Sequence, residues 1–183
     1  MTEFEHLTQK RFQRGFSLIE VLVALVILII GLIGIFNLHI VAKRSSFESF
    51  QQTQASYYAN DIINRMKLNR TQLASYAGDY IGAKTTITPA SPACEGGTLC
   101  SPAQLVAWDL YEWRSAFSGE DEVVGTQNVG GLDTPTACIK VNGNSVSVTM
   151  TWRGISETSD GIGSIECGTS NNRRRVFTIQ TVI

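Results

Sequence analysis

Histidine is nearly absent from this chain. His6 and His39 are the only two, and both fall within the first 42 of its 183 residues. The 141 residues after Ala42 (183 − 42) therefore lack the imidazole that Ser–His and Cys–His catalysis require. No C-x-x-C pair occurs either, which with the missing histidines argues against a zinc site. The net charge is −1, so there is no basic excess of the kind that marks bulk nucleic-acid binding. We expect no enzyme activity, no metal, no cofactor and no nucleic-acid partner.

Charge is missing most completely from Val21 to Ala42, a run of 22 residues without Lys, Arg, Asp or Glu. As a helix this run measures roughly 33 Å, enough to cross the hydrocarbon core of a bilayer. Lys10, Arg11 and Arg14 precede it. Positive charge stays on the cytoplasmic side of a span, which puts the N-terminus inside and the bulk of the chain outside. One acid, Glu20, sits just inside the mouth of the run. A carboxylate there costs about 2.5–3.5 kcal/mol on insertion scales unless it finds a partner or snorkels to the interface.

The remainder of the chain is modest in size, about one domain. It holds all four cysteines, Cys94, Cys100, Cys138 and Cys167. An even count suits two disulfides in an oxidising compartment. After Lys43 and Arg44 there is no Gly or Pro until Gly78, and Ala55, Tyr58, Ala59, Ile62, Ile63 and Met66 recur at three- and four-residue spacing. That is one apolar face of an amphipathic helix. Ser101-Pro102-Ala103-Gln104 reads as a capping box opening a second helix to about Phe117, with Val106, Leu110, Trp113 and Phe117 on one face. Trp108 and Trp113 read as core, and Asp109 with Glu112 as a solvated face. Residues 71–100 read as loop, with a short strand at Thr85–Thr88, and Glu120-Asp121-Glu122 through Gly131 as an exposed connection. The period then changes to two. Ala137–Val141, the Asn142-Gly143-Asn144 turn and Ser145–Trp152 predict a β-hairpin, and Val176–Ile183 a last strand. Arg173-Arg174-Arg175 reads as a solvated loop entering that strand. The fold expected from pattern is α+β: a long N-terminal helix packed on an antiparallel sheet.

A secretory signal peptide has an apolar core of about 7–15 residues with a small-residue cleavage site behind it. Here the small residue, Gly15, stands in front. A basic leader, then Gly15-Phe16-Ser17-Leu18-Ile19-Glu20, then a long apolar helix, resembles the processing signal of type IV prepilins and pseudopilins. The resemblance implies four segments: a leader over 1–15, a transmembrane and filament-core helix over 16–42, its amphipathic continuation over 43–70, and a periplasmic globular head over 71–183. It implies cleavage between Gly15 and Phe16 by a prepilin peptidase, N-methylation of Phe16, and a role for Glu20 in assembly, meeting the N-terminal amine of a neighbouring subunit. Gly31 and Gly34 permit close helix approach, although glycine is common in membrane helices anyway.

Asn64-Arg65-Met66-Lys67-Leu68-Asn69-Arg70, and Cys100-Ser101-Pro102-Ala103-Gln104 followed by Trp108-Asp109-Leu110-Tyr111-Glu112-Trp113, are similar to segments of the PilV group of minor pilins. The implied partners are the other minor pilins, the major pilin, the inner-membrane assembly platform and, at the pilus tip, a large adhesin. The implied location is the inner membrane and then the extracellular pilus. A type II secretion pseudopilin carries the same signal, and a membrane-tethered periplasmic binding module is the reading from another class. Two glycines between Cys94 and Cys100 permit a tight turn, so Cys94–Cys100 with Cys138–Cys167 is the favoured pairing among the three that four cysteines allow.

Overall fold

The computed structural model describes residues 15–82, 87–120, 122–125, 127–158 and 167–183. Lys10, Arg11 and Arg14, Asp121, and half of the strand expected at Thr85–Thr88 lie outside them. The first helix, α1 (Leu18–Leu68), is a single element of 51 residues. It starts where the Ser17 carbonyl accepts the amides of Glu20 and Val21, at 3.0 and 3.2 Å.

The chain divides into two compact units, 1–43 and 44–183. In the first, every described residue is exposed, including Leu, Ile and Val on all sides of the helix. A helix apolar all round has no polar face to give to water, and this one is long and apolar enough to cross a membrane.

The second unit has its own core. The α1 residues Ala55, Tyr58, Ala59, Ile62, Ile63 and Met66 are buried, the set the three- and four-residue spacing predicts. Helical geometry breaks at Asn69, whose φ is −126° and ψ 50°, so α1 ends at Leu68, two residues short of the expected end at Arg70. The Asn69 side-chain amide then bonds the Pro102 carbonyl at 2.8 Å, and a 3-10 helix over Arg70–Tyr76 carries the chain on. Next comes β1 (Gly78–Ile81), a strand inside the stretch read as loop. It is four residues long and only Tyr80 points into the core, too little alternation to register as a pattern.

Helix α2 (Pro102–Ser118) opens on the capping box: Ser101 Oγ accepts the Gln104 amide at 3.3 Å and Gln104 Oε1 accepts the Ser101 amide at 2.9 Å. It closes on Gly119, left-handed at φ 68°, where a Cβ would stand 2.0 Å from the Gly130 carbonyl oxygen. Two minimal strands, β2 (Val123–Val124) and β3 (Gln127–Asn128), pair within the expected connection. The hairpin β4 (Thr136–Asn142) and β5 (Ser145–Arg153) turns at Gly143, and β6 (Arg174–Val182) begins two residues before Val176.

The main sheet is antiparallel in the order β1-β4-β5-β6. Across its inner face run Ile139, Val148 and Ile179 in one row and Ala137, Met150 and Phe177 in the next. Together with the α1 stripe and α2 they form one apolar core. The architecture is α+β, as the pattern predicts, with four strands in the main sheet. Disulfides join Cys94 to Cys100 and Cys138 to Cys167, the latter on the outer face of the sheet.

Trp113 is the keystone of α2. It is fully buried, donates its indole N–H to the Tyr58 carbonyl at 2.8 Å, and stacks edge-on with Phe117 and Tyr80 at 4.9 and 5.7 Å. Trp113→Ala is expected to cost about 3–5 kcal/mol. Chemical denaturation followed by circular dichroism should show the lowered midpoint.

Candidate processing and assembly site

Gly15, Phe16 and Ser17 precede the first helical residue, so the Gly15–Phe16 bond lies in non-helical, exposed chain. No heavy atom beyond its neighbours comes within 4 Å of a Cβ built on Gly15. Exposed chain outside regular structure is where proteolysis concentrates. Phe16 is 84% exposed. Glu20 lies in the first turn of α1, where the amides that lack partners and the helix dipole favour negative charge. Gly15, Phe16 and Glu20 fall within six consecutive residues, the first two ahead of the helix and the third in its first turn. Gly31 and Gly34 are equally open.

The head contains a second arrangement of charge, and two readings from sequence are corrected there. Asp109 and Glu112 are not a solvated face. Arg65 Nη1 reaches Glu112 Oε2 at 2.6 Å and Asp109 Oδ1 at 3.3 Å, while its Nε takes Asp61 at 3.1 Å. Asp109 is buried and also accepts the Tyr76 hydroxyl at 2.5 Å. α2 packs antiparallel to α1, which carries the acids to Arg65, one turn before the helix ends. Burial disfavours the charged Arg65, but the Glu112 hydrogen bond and the Asp61 charge outweigh it and raise its pKa. Burial, then the bond to Asp109, pushes the Tyr76 hydroxyl up.

Of the arginine run, only Arg173 is exposed in a turn as read; Arg174 and Arg175 already belong to β6 and are not solvated loop. Arg174 is buried beneath Gly168 and donates to the Thr151 hydroxyl on the outer face of the sheet, beside Cys138–Cys167. Burial lowers its pKa. Arg175 grips Glu48 Oε2 through Nε at 2.9 Å and Nη2 at 2.5 Å, and the Ser156 amide bonds Glu48 Oε1 at 2.7 Å. Sequence gives no sign of this clip, because 127 residues separate Glu48 from Arg175.

A family model described as the prokaryotic N-terminal methylation motif matches residues 10–36, and one described as type IV pilin Tt1218 matches residues 37–111. No curated protein and no solved structure matches the chain.

The Glu48 clip sets a pH dependence. Burial alone would raise the Glu48 pKa, but the Ser156 amide and Arg175 hold it below the ordinary 4.5. A carboxyl with a lowered folded pKa stabilises the fold above its unfolded pKa, and that stability is lost as pH falls through the folded value. Glu48→Gln is expected to cost about 2 kcal/mol near neutral pH. The gap to wild type should close as pH falls below 4.5, measured by denaturant titration across pH.

Proposed function

This chain belongs to the type IV pilin-like family, whose members are structural proteins that assemble with other pilins; from that premise we propose that it is a minor pilin of the PilV type, acting in the priming, assembly and modification of type IV pili. The observation that supports its pilin-type part is continuity. The methylation motif ends at residue 36 and the pilin match begins at residue 37, within the one helix α1.

The finer assignment is supported by what the two PilV-like segments do in the fold. Arg65 and Asn69, from the ending Asn64–Arg70, bond Asp109, Glu112 and Pro102, which belong to the Cys100–Trp113 segment. The segments form one structural unit, and the resemblance covers both sides of it.

In this reading a prepilin peptidase cuts between Gly15 and Phe16 and methylates the Phe16 amine. The basic leader keeps the N-terminus cytoplasmic, with the head periplasmic until the subunit enters the extracellular fibre. Glu20, uncompensated in lipid, pairs with the amine of a neighbouring subunit and sets the register of the bundled helices. The neighbours are other minor pilins and the major pilin on the inner-membrane platform, in a complex that can carry a large tip adhesin.

Mass spectrometry of the mature protein should find N-methyl-Phe16 at its terminus. An intact Met1 in sheared filaments would overturn the reading. Deletion of the gene, or Glu20→Ala, is expected to reduce surface pili and twitching while leaving protein secretion unchanged. Lost secretion with normal pili would instead assign the chain to a secretion pseudopilus.

A further inference from the structure

Between Val21 and Ala42 only two side chains carry hydrogen-bonding groups, Asn37 and His39. Among the described residues neither His39 nor the next polar residue on its face, Lys43, has a hydrogen-bond or ion-pair partner. A polar group in apolar surroundings costs free energy unless it is hydrogen-bonded. The depth of His39 limits what can supply that bond. It stands three residues before Ala42, about 4.5 Å along the axis. The whole run measures roughly 33 Å against a hydrocarbon core of about 30 Å. In a bilayer the imidazole therefore lies where acyl chains give way to glycerol and phosphate.

His39 and Lys43 are four residues apart in unbroken helix, so they are neighbours on one face. The lysine ammonium offers three donors, and an imidazole donates at least one N–H in either protonation state. The oxygens of a single phosphate diester can accept from both. Phe36 and Leu32 lie on the same face, one and two turns nearer the middle of the run, and both are exposed. Asn37 falls about 200° round the helix from His39, off this face. Among the described residues no anion competes for the pair. Glu20 stands at the other end of the run, and Glu48, the next acid along the chain, is held by Arg175 and the Ser156 amide.

We propose that His39 and Lys43 clamp the phosphate of one anionic phospholipid, whose acyl chain lies along Phe36 and Leu32. The charge balance selects the anionic class. Arg44 follows Lys43 with the same sign, and a zwitterionic headgroup would bring an ammonium against these cations. A phosphatidylglycerol headgroup carries the phosphate without the ammonium. Lysine and arginine close to a membrane surface attract anionic lipid in any case, and the imidazole adds a second, directional donor one turn deeper. The clamp rests on the apolar run lying in a bilayer. It does not depend on the minor-pilin reading or on which side of the membrane this end faces.

The test reconstitutes the full-length chain in phosphatidylcholine nanodiscs holding a small fraction of a phospholipid with a photoactivatable diazirine in its acyl chain. Two probes are compared, one with a phosphatidylglycerol headgroup and one with a phosphatidylcholine headgroup. The phosphatidylglycerol probe should give severalfold more adduct, mapped by mass spectrometry to residues 32–43, and unlabelled phosphatidylglycerol should compete it away. His39→Leu and Lys43→Gln should each lower the yield severalfold. His39→Gln, which keeps an N–H donor, and Arg44→Gln, which removes the same charge as Lys43→Gln, should both retain most of it. Equal yields from the two probes would overturn the proposal. So would an equal loss with Arg44→Gln, the mark of diffuse surface charge. Competition by glycerol 1-phosphate at the same concentration would assign the pair to a soluble phosphate ester and overturn the lipid as its occupant. A chain that does not co-purify with the discs would sink the membrane span and the clamp together, whereas co-purification with equal yields sinks the clamp alone.

Discussion

The head depends on a single contact, the apolar stripe of α1 against the inner face of the sheet. Ala55 and Ala59 are fully buried within it, and their small side chains let α1 lie close to its neighbours, while Ile62 and Met66 fill the space further along. The same helix carries an unbroken apolar surface before Ala42. One sequence therefore switches helix type at Lys43 and Arg44 without breaking the backbone: first apolar on every side, then apolar on one. Small at Ala55 and Ala59 and large at Ile62 and Met66, the stripe itself disfavours a shift of one turn, which would press a larger side chain into the place of Ala59.

The polar locks reinforce that register. The Glu48–Arg175 clip holds the first turns of α1 in the head to β6, and the Arg65 node with Asn69 holds the last turn to α2. Between them the Trp113 indole takes the Tyr58 carbonyl. Three contacts spread over Glu48 to Asn69 leave one alignment in which all are made together. Half-buried ion pairs add little net stability once desolvation is counted, so their larger effect here is on which alignment wins. Arg174 plays a similar part on the outer face of the sheet, where its bond to Thr151 and the Cys138–Cys167 bridge hold the chain that precedes β6.

How much of this was legible in the sequence depends on the range of each interaction. The stripe at 55–66, the capping box at Ser101 and the hairpin around Gly143 are local patterns, and each appears at its expected place. The strand β1 was hidden because four residues with one inward side chain carry almost no periodicity. Asp109 and Glu112 looked solvated because their partner Arg65 lies more than forty residues away, at 44 and 47. Glu48 and Arg175 were invisible as a pair for the same reason. Local propensity reads what a segment is, and only the folded topology reads which charges meet. The stretch read as a processing signal is the opposite case: Gly15, Phe16 and Glu20 lie within six consecutive residues, so it is legible as a local pattern.

That compactness bears on how processing and assembly connect. Before cleavage the nitrogen of Phe16 is an amide and carries no charge, and the helix dipole stabilises an acid in the first turn by only about 0.3–1 kcal/mol. Placing the carboxylate in the bilayer costs several times that. Cutting the Gly15–Phe16 bond creates an amine with a pKa near 8, protonated at neutral pH. On its own helix that amine sits one turn before Glu20, at the exposed end; on a neighbour shifted along the bundle it can lie beside the carboxylate within lipid, where low dielectric strengthens the pair. An uncut subunit offers its neighbours no charge at the Phe16 nitrogen. In the reading proposed above, the peptidase therefore makes the chain competent to join a fibre by creating one positive charge.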